Sequence, residues 1–240
     1  MMLEILVDKP LLSRGLVYHH PFDFVHCATF GGSGTGKTFL NRLIAAKIAL
    51  NVPDSQITIL DFKADDYHCC RSIPSRLFEF EQVKTGLEQF YAEFLSRQQG
   101  KSSDRSYRLI VIEELGSMLG YFSKPDNDKM KTMIGNLVFL GRSFNTHCLI
   151  SSQRVDSSYF SAGVRDSINC VIALGNLSKE GKGTMFSGFQ DEMTETHGIG
   201  SGYMLLNNAK LFSVAVPQVM NIPKLEHYIR LGVTRGIDSK

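Results

Sequence analysis

Residues 31–38, with the sequence GGSGTGKT, constrain the fold of this chain more than any other segment. They satisfy the pattern G-x-x-x-x-G-K-[S/T] in full. Glycines let the backbone curl so that successive N–H groups converge on phosphate oxygens, and a following helix adds its positive N-terminal end. An apolar strand-like run, 25–30, precedes the segment, and a helical pattern, 38–50, follows it. The segment therefore predicts a nucleotide phosphate-binding loop between a strand and a helix.

Each residue of this loop is a candidate ligand contact. Lys37 is positioned to reach the β- and γ-phosphates of a nucleotide such as ATP, and the Thr38 hydroxyl to join the shell of Mg²⁺. The predicted nucleotide-binding residues are Gly31, Gly32, Ser33, Gly34, Thr35, Gly36, Lys37 and Thr38.

The composition is that of an ordinary globular protein with little net charge. Of the 240 residues, 43% are hydrophobic and 21% are charged, which excludes wholesale disorder. The 26 Lys and Arg residues against 24 Asp and Glu residues leave a net charge of +2. Domains that coat nucleic acid with their whole surface usually carry a clear basic excess. The charge therefore argues against such a protein and still allows nucleic acid to be held by a few loops.

Short apolar runs alternate with amphipathic segments of helix length. This pattern predicts an α/β fold with a mostly parallel central sheet flanked by helices, in a single domain spanning 1–240. Residues 1–20 form a mixed lead-in, and the tail, 217–240, contains one amphipathic helix with Leu225, Tyr228, Ile229 and Leu231 as candidate contacts. The predicted strands are 25–30, 56–61, 107–112, 147–151 and 169–173, with a hairpin at 202–206 and 209–216, and the predicted helices are 38–50, 81–99, 126–140 and 178–186.

The cysteines and the termini carry little chemistry. Five cysteines are an odd number without framework spacing, which favours buried apolar side chains over a redox or structural metal site. The run 68–70, His-Cys-Cys, has no second ligand pair at the spacing of a zinc site. No apolar run approaches the roughly 20 residues of a membrane span, and Glu4 and Asp8 are unlike a signal peptide. We therefore expect a cytoplasmic protein without a structural metal.

Two adjacent acids follow the most apolar strand, in the run 109–114, LIVIEE. The carboxyl ends of parallel strands meet at the edge where ligands bind, so Glu113 and Glu114 should lie beside the phosphate loop. Glu113 would orient Mg²⁺, directly or through water, and Glu114 would polarise the attacking water. The alternative is an acidic pair that caps the N-terminus of a helix. A further strand between the loop and the acids favours ATPases with an additional strand over nucleotide kinases.

A third polar cluster lies at 141–154, GRSFNTHCLISSQR. Gln153 follows a predicted strand, where an amide can sense a γ-phosphate and position water, and Arg142 lies on the loop before that strand. Each also has a simpler interpretation, with Arg142 as a helix C-terminal charge and Gln153 as a strand cap.

Taken together, these segments resemble the FtsK/HerA class of hexameric DNA-pumping ATPases, and most closely the FtsK motor module and the conjugative coupling proteins. The similar segments occur in the family's order and are 28–44, 59–63 (ILDFK), 109–115, 141–154, 165–173 and 200–206 (GSGYMLL). The resemblance implies a RecA-like P-loop ATPase core in a hexameric ring, with ATP and Mg²⁺ at each subunit interface. It implies that Arg142 is an arginine finger supplied in trans, Gln153 the sensor, and Arg165 a second basic residue directed at the neighbour's phosphates.

The resemblance also implies that double-stranded DNA threads a central pore. The segment 116–131 is the best pore-loop candidate because it carries Lys124, Lys129 and Lys131, the predicted DNA-binding residues. Its alternative interpretation is a solvated loop and helix start. A second candidate is 155–163, with Tyr159 and Phe160.

The chain departs from the family pattern in two respects. Glu113 stands where the family usually has Asp, so that a longer carboxylate would have to reach the metal. The membrane anchor, the proline-rich linker and the DNA-orienting winged-helix segment of the full cell-division translocase are absent from the 240 residues. We therefore expect a minimal motor of the kind found on a mobile genetic element, plasmid or phage.

Three functions fit these observations. The first is a DNA-dependent ATPase that translocates double-stranded DNA. The second is a packaging or coupling ATPase that is active only with a membrane, relaxosome or capsid partner. The third is a nucleotide-gated DNA-binding assembly module without processive movement, and intact Lys37, Glu114, Arg142 and Gln153 favour hydrolysis over it.

Overall fold

The computed structural model describes residues 1–237, with ten strands in one sheet. The strands are β1 (Met2–Asp8), β2 (His19–Asp23), β3 (His26–Phe30), β4 (Gln56–Asp61), β5 (Leu77–Glu79), β6 (Arg108–Glu113), β7 (Thr146–Ser152), β8 (Cys170–Leu174), β9 (Ser201–Leu206) and β10 (Lys210–Ala215). Their order across the sheet is β2-β1-β10-β9-β8-β3-β7-β6-β4-β5. The strands from β8 to β5 in this order pair in parallel, and those from β8 to β2 pair antiparallel.

The parallel half is the centre of the molecule. Every residue of β3, β7 and β8 is buried, as expected for strands covered on both faces. Strand β7 lies between β3 and β6, so one strand separates the phosphate loop from the acidic pair. The predicted α/β fold with a mostly parallel sheet and an additional strand is therefore confirmed.

Helices cover both faces of the sheet. The helices are α1 (Lys9–Leu12), α2 (Lys37–Asn51), α3 (Gln82–Gln98), α4 (Leu115–Tyr121), α5 (Lys124–Leu140), α6 (Ala162–Ser167), α7 (Lys179–Met185) and α8 (Ile222–Thr234). On one face α2 packs against α8, and Leu225 and Ile229 of α8 are buried there as predicted. On the other face α3 packs against α5, whose apolar side chains join a second core cluster. No helix within residues 1–237 has both the length and the apolarity to cross a bilayer.

The strands and helices predicted from residue 25 onward are present, with bounds that agree to within two residues. Two segments differ. The predicted lead-in forms β1 and β2, because Leu3, Ile5 and Leu6 are buried when β1 pairs with the free edge of β10. The predicted pore loop, 116–131, is mostly helical: α4 begins at Leu115 and α5 at Lys124. The helix predicted from 126 onward is present, whereas the loop expected at 116–125 was wrong, because α4 and a short link to α5 take its place.

Candidate nucleotide-binding site

The phosphate loop joins β3 to α2 at the carboxyl edge of the sheet. Gly31 has φ +151°, and a Cβ there would lie 2.2 Å from the carbonyl oxygen of Leu174 at the end of β8. A side chain at this position would therefore force the loop away from the sheet. The helix begins at Lys37, directly after Gly36, which is left-handed with φ +95°. The predicted strand-loop-helix arrangement is present.

The loop is built to accept an anion. The amides of Ser33, Gly34 and Gly36 donate no hydrogen bond to any described residue, so these donors are free for phosphate oxygens. The loop is braced from within and from outside: the Thr35 hydroxyl donates to the Gly32 carbonyl at 2.9 Å, and the Gly200 amide donates to the Thr35 carbonyl at 2.9 Å. The residues present therefore fit the phosphates of a nucleotide.

Lys37 is buried beneath the loop. Its Nζ lies 3.5 Å from the Gly32 carbonyl oxygen and 3.8 Å from Oε1 of Glu114. Burial lowers the pKa of Lys37, and the negative charge of Glu114 opposes that shift. A buried ammonium held so loosely within the protein is suited to a phosphate partner.

Glu113 is fully buried at the end of β6 and is the centre of a hydrogen-bond network. Asn41 Nδ2 donates to both of its carboxylate oxygens, at 3.0 and 3.1 Å. The Tyr67 hydroxyl donates to Oε1 at 2.9 Å, and the Ser151 hydroxyl donates to Oε2. Thr29 in turn orients Asn41 by donating to its Oδ1 at 2.9 Å. Burial raises the pKa of Glu113, and its donors oppose the shift by stabilising the carboxylate.

This network bears on the metal prediction. Each Glu113 oxygen accepts two hydrogen bonds, which uses its two lone pairs. A direct bond from Glu113 to Mg²⁺ would therefore require one donor to leave. The Thr38 hydroxyl, on the first turn of α2, makes no hydrogen bond within residues 1–237 and fits the metal shell better. Of the two metal routes predicted for Glu113, this geometry favours the one through water.

Glu114 lies next to the phosphate site in a strained conformation. It is 2% exposed, and its φ of +57° is uncommon for a residue with a side chain. The turn is supported by the Ser151 hydroxyl, which accepts from the Glu114 amide at 3.3 Å. Although Glu114 precedes α4, its side chain makes no capping hydrogen bond. Its Oε1 instead accepts from Lys63 Nζ at 2.8 Å. The carboxylate is thus turned into the site and does not cap the helix.

Gln153 follows β7 and lies beside Glu114. Both residues line a cleft of about 330 Å³, together with Ser152 and Tyr159. Because β7 is between β3 and β6, the amide of Gln153 comes from the strand that separates the phosphate loop from the acids. The structure therefore brings Gln153, Glu114 and the phosphate loop to one edge of the sheet.

The two predicted arginines lie elsewhere. Arg142 is exposed on a 3-10 turn, Gly141–Phe144, before β7. Burial lowers the pKa of His26 at the start of β3, and the positive charge of Arg142 adds to that shift. This turn lies at the amino edge of the sheet, opposite the phosphate loop of the same chain. Arg165, on α6 before β8, donates to the Phe160 carbonyl at 2.9 Å. Neither arginine contacts the nucleotide site of its own chain.

The predicted DNA-binding lysines are on helix α5 and not on a loop. Lys124 is exposed at the start of α5, and Lys131 is half-buried two turns later. Lys129 Nζ donates to Glu88 of α3 at 2.7 Å, so part of its charge is neutralised. In the second candidate segment, 155–163, Phe160 is buried and is not available at a surface. The proposed contacts to DNA remain predictions.

A second cavity adjoins the phosphate loop on its other side. It has a volume of about 450 Å³, and Gly36 and Phe39 of the loop and α2 form one wall. The opposite wall is formed by Ile199 and the segment 216–220, which follows β10. This cavity is continuous with the loop and is largely apolar.

Four residues of the site had no assigned role in the sequence: Asn41, Lys63, Tyr67 and Ser151. Asn41 lies three residues after Thr38, hence on the same face of α2, and that spacing is a usable signal. Lys63 and Tyr67 follow the end of β4, at the edge where ligands are expected. Which of these polar residues would meet Glu113 depends on tertiary packing, and no local pattern gives it.

Comparison with known proteins bears out the resemblance. No family model matches the chain. It is 22% identical over 238 residues to the FtsK domain-containing protein YdcQ of Bacillus subtilis (strain 168), an alignment that covers 90% of this chain and 49% of YdcQ. The chain therefore spans about half the length of this curated relative.

Several solved structures have the same fold. EssC (ATPases 2 and 3) of Geobacillus thermodenitrificans aligns with a TM-score of 0.70 and 14% identity, covering 96% of this chain and 48% of the EssC chain. The pCW3 conjugation coupling protein TcpA, solved with ATPγS, has a TM-score of 0.67 and 14% identity, and the alignment covers 95% of this chain and 70% of TcpA. The genome packaging NTPase B204 of Sulfolobus turreted icosahedral virus 2, solved with ATPγS, has a TM-score of 0.55 and 12% identity. This alignment covers 82% of this chain and 98% of B204. The chain is thus similar to FtsK/HerA-type P-loop ATPases and has their RecA-like fold.

Proposed function

We propose that this chain is a Mg²⁺-dependent ATPase whose hydrolysis drives a ring-forming motor on double-stranded DNA. The observation that carries the ATPase proposal is that a buried lysine and a buried glutamate, whose side chain does not cap the following helix, lie in one site. Lys37 Nζ lies 3.8 Å from Glu114 Oε1 beneath a loop with free amides. A glycine-rich turn without catalysis would have no use for such a pair.

The chain's own residues supply three functions in this reaction. The loop amides and Lys37 bind and orient the phosphates, and Thr38 would hold Mg²⁺, which would supply positive charge to the transferred phosphoryl group. Glu114 takes a proton from the attacking water, and Gln153 holds that water in the shared cleft. The adenine base occupies the apolar cavity between Phe39 and the segment 216–220.

The proposed ring accounts for the position of Arg142. Because Arg142 is exposed at the edge of the sheet opposite its own phosphate loop, it can reach phosphates only in another subunit. An arginine supplied in trans stabilises charge on the phosphoryl group and can accelerate hydrolysis by ~10³–10⁵. Arg165 is proposed as a second contact to the neighbour.

The DNA part of the proposal rests on the relatives and on α5. TcpA is a conjugation coupling protein and B204 a genome packaging NTPase, so two structural relatives belong to systems that move DNA. Lys124 and Lys131 are the basic residues of α5 without an ion pair within residues 1–237, and we propose that they contact DNA phosphates. A coupling or packaging ATPase that needs a membrane, relaxosome or capsid partner is the second candidate, since TcpA is a coupling protein and B204 a packaging NTPase.

ATPase activity with and without duplex DNA, measured together with triplex displacement, tests the motor. Hydrolysis that DNA stimulates, with displacement of the third strand, supports translocation. Stimulation without displacement would favour the partner-dependent alternative or a module without movement. No stimulation at any salt concentration, and no ring with ATP, would contradict the DNA motor.

Mixed rings test the arginine in trans. Arg142→Ala and Glu114→Ala subunits are each expected to be inactive alone. The mixture should recover activity, because some interfaces then combine an intact Arg142 with an intact Glu114. Unchanged hydrolysis by Arg142→Ala alone would rule out the finger.

A further inference from the structure

Lys63 is the residue in closest polar contact with Glu114. Its Nζ donates to Glu114 Oε1 at 2.8 Å, whereas Lys37 Nζ lies 3.8 Å from the same oxygen. Lys63 lies on the turn after β4, and Asp61 shapes this turn by accepting from the Ala64 amide at 3.2 Å and the Asp66 amide at 2.9 Å. A local network therefore presents the Lys63 ammonium to Glu114.

The two lysines would contact different partners when a triphosphate binds. Lys37 is the loop lysine, and its ammonium would turn to the phosphates. Lys63 would then be the cation that remains beside Glu114. An ionised carboxylate that is 2% exposed is costly unless a cation or donors are paired with it. Glu114 Oε2 accepts no hydrogen bond from residues 1–237, so only Oε1 is held.

The ion pair with Glu114 also changes the pKa of Lys63. Its side chain is 41% exposed, and the burial that remains would lower its pKa. The hydrogen bond and charge of Glu114 more than offset this effect, so the pKa of Lys63 is raised and the ammonium stays charged.

We propose that Lys63 is a positioning residue for hydrolysis: it holds Oε1 of Glu114 by a hydrogen bond and leaves Oε2 directed at the attacking water. Lys63 acts through Glu114 and does not bind the nucleotide. This inference rests on the proposed ATPase function and adds to it a residue outside both the phosphate loop and the acidic pair.

Steady-state kinetics of Lys63→Ala and Lys63→Arg test the inference. Lys63→Ala should lower kcat roughly 10- to 100-fold, because a misplaced catalytic group costs about that much. The KM for ATP and the Kd for ATPγS should change by less than about threefold, which corresponds to under 1 kcal/mol of binding free energy. Lys63→Arg should restore most of the rate, since it keeps the charge. Lys84→Ala, which removes a lysine paired with Asp126 away from the site, is the matched control and should keep the full rate.

The same substitution in a Glu114→Gln background separates positioning from direct contact. There, Lys63→Ala should cause no further loss of rate. A further loss, an unchanged kcat in Lys63→Ala alone, or a Kd for ATPγS raised about tenfold or more would overturn the inference and would make Lys63 a bystander or a phosphate ligand.

If the unmodified chain hydrolyses no ATP, the proposed function fails, and the ion pair is tested by urea unfolding instead. The effects of Lys63→Ala and Glu114→Gln on the unfolding midpoint should then be non-additive. Additive effects would overturn the pairing.

Discussion

The carboxyl ends and the amino ends of the parallel strands bury polar side chains of different kinds. At the carboxyl edge the buried groups are charged and partly paired: Glu114 lies 2.8 Å from Lys63 and 3.8 Å from Lys37. At the amino ends of β3 and β7 the buried groups include two histidines, His26 and His147, whose pKa values burial lowers to about 3 and about 4. The carboxyl edge therefore holds charges beside the phosphate loop, whereas these two histidines are neutral at physiological pH.

The contacts of these two histidines lie within the fold. His26 Nδ1 accepts a hydrogen bond from the Cys148 amide at 3.2 Å, which requires that nitrogen to be unprotonated. His147 stacks on Tyr107, with ring centroids 4.2 Å apart, and its Nδ1 donates to the Val25 carbonyl at 2.9 Å. These two histidines serve the fold. The comparison teaches that substitutions of Lys37 and Glu114 should change chemistry, whereas substitutions of His26 and His147 should change stability.

The largest effect is expected from Lys37→Ala at the carboxyl edge. Removing a buried, charged phosphate contact should weaken the binding of ATPγS by roughly 2–5 kcal/mol. Isothermal titration calorimetry measures the loss, and thermal unfolding checks that the fold is retained. Binding that stays within a few-fold of the unmodified chain would show that the loop does not hold the phosphates through Lys37.

Glu113→Gln should separate the two adjacent acids. The amide would bring donors towards Asn41, Tyr67 and Ser151, which all donate to the carboxylate, so the unfolding free energy should fall by about 3 kcal/mol. Urea denaturation measures this change. Glu114→Gln is the control and should be destabilised less, because it has a single strong partner, Lys63. Equal losses in the two variants would remove the distinction between a structural and a catalytic glutamate.

The two buried histidines should make stability depend on pH, and each should contribute less than the loss expected for Glu113→Gln. The pKa of His147 is about 4 in the folded chain and near 6.5 when unfolded, so the unfolded state gains the proton first as pH falls. The unfolding free energy should therefore decrease below pH 6.5, by roughly 2 kcal/mol at pH 5 for this histidine. His147→Phe keeps the ring on Tyr107 and should flatten the pH profile by that amount. An identical profile in the variant would mean that His147 is protonated in the folded state.

The sequence predicts the parallel core well because its signals are local. The run 109–112 is apolar throughout, the run 56–61 carries Ile57, Ile59 and Leu60, and the phosphate loop marks the point where β3 ends. The lead-in could not be predicted in the same way, since β1 is a strand only because β10 offers an edge. The helix predicted at 126–140 was placed two residues late, because Lys124 and Pro125 are equally typical of a loop and of a helix start.

The residues of the candidate site differ in the same way: some follow from the local sequence, and others depend on tertiary packing. Lys37, Thr38 and Glu114 follow from fixed spacings beside strand ends, and the structure brings them to one edge. The saturation of Glu113 could not be predicted, because its donors come from separate parts of the chain and meet only after packing. The role of Lys63 was missed for the same reason.

The rate of phosphate release from ATP by the unmodified chain and by Glu114→Gln, with ATPγS binding measured in parallel, tests the central claim most directly. We expect Glu114→Gln to bind ATPγS with unchanged affinity and to release phosphate about 10²–10⁴ times more slowly, because the residue that takes the proton from water is lost. Equal rates in the two proteins, or no hydrolysis by the unmodified chain in the presence of Mg²⁺ and duplex DNA, would contradict the account.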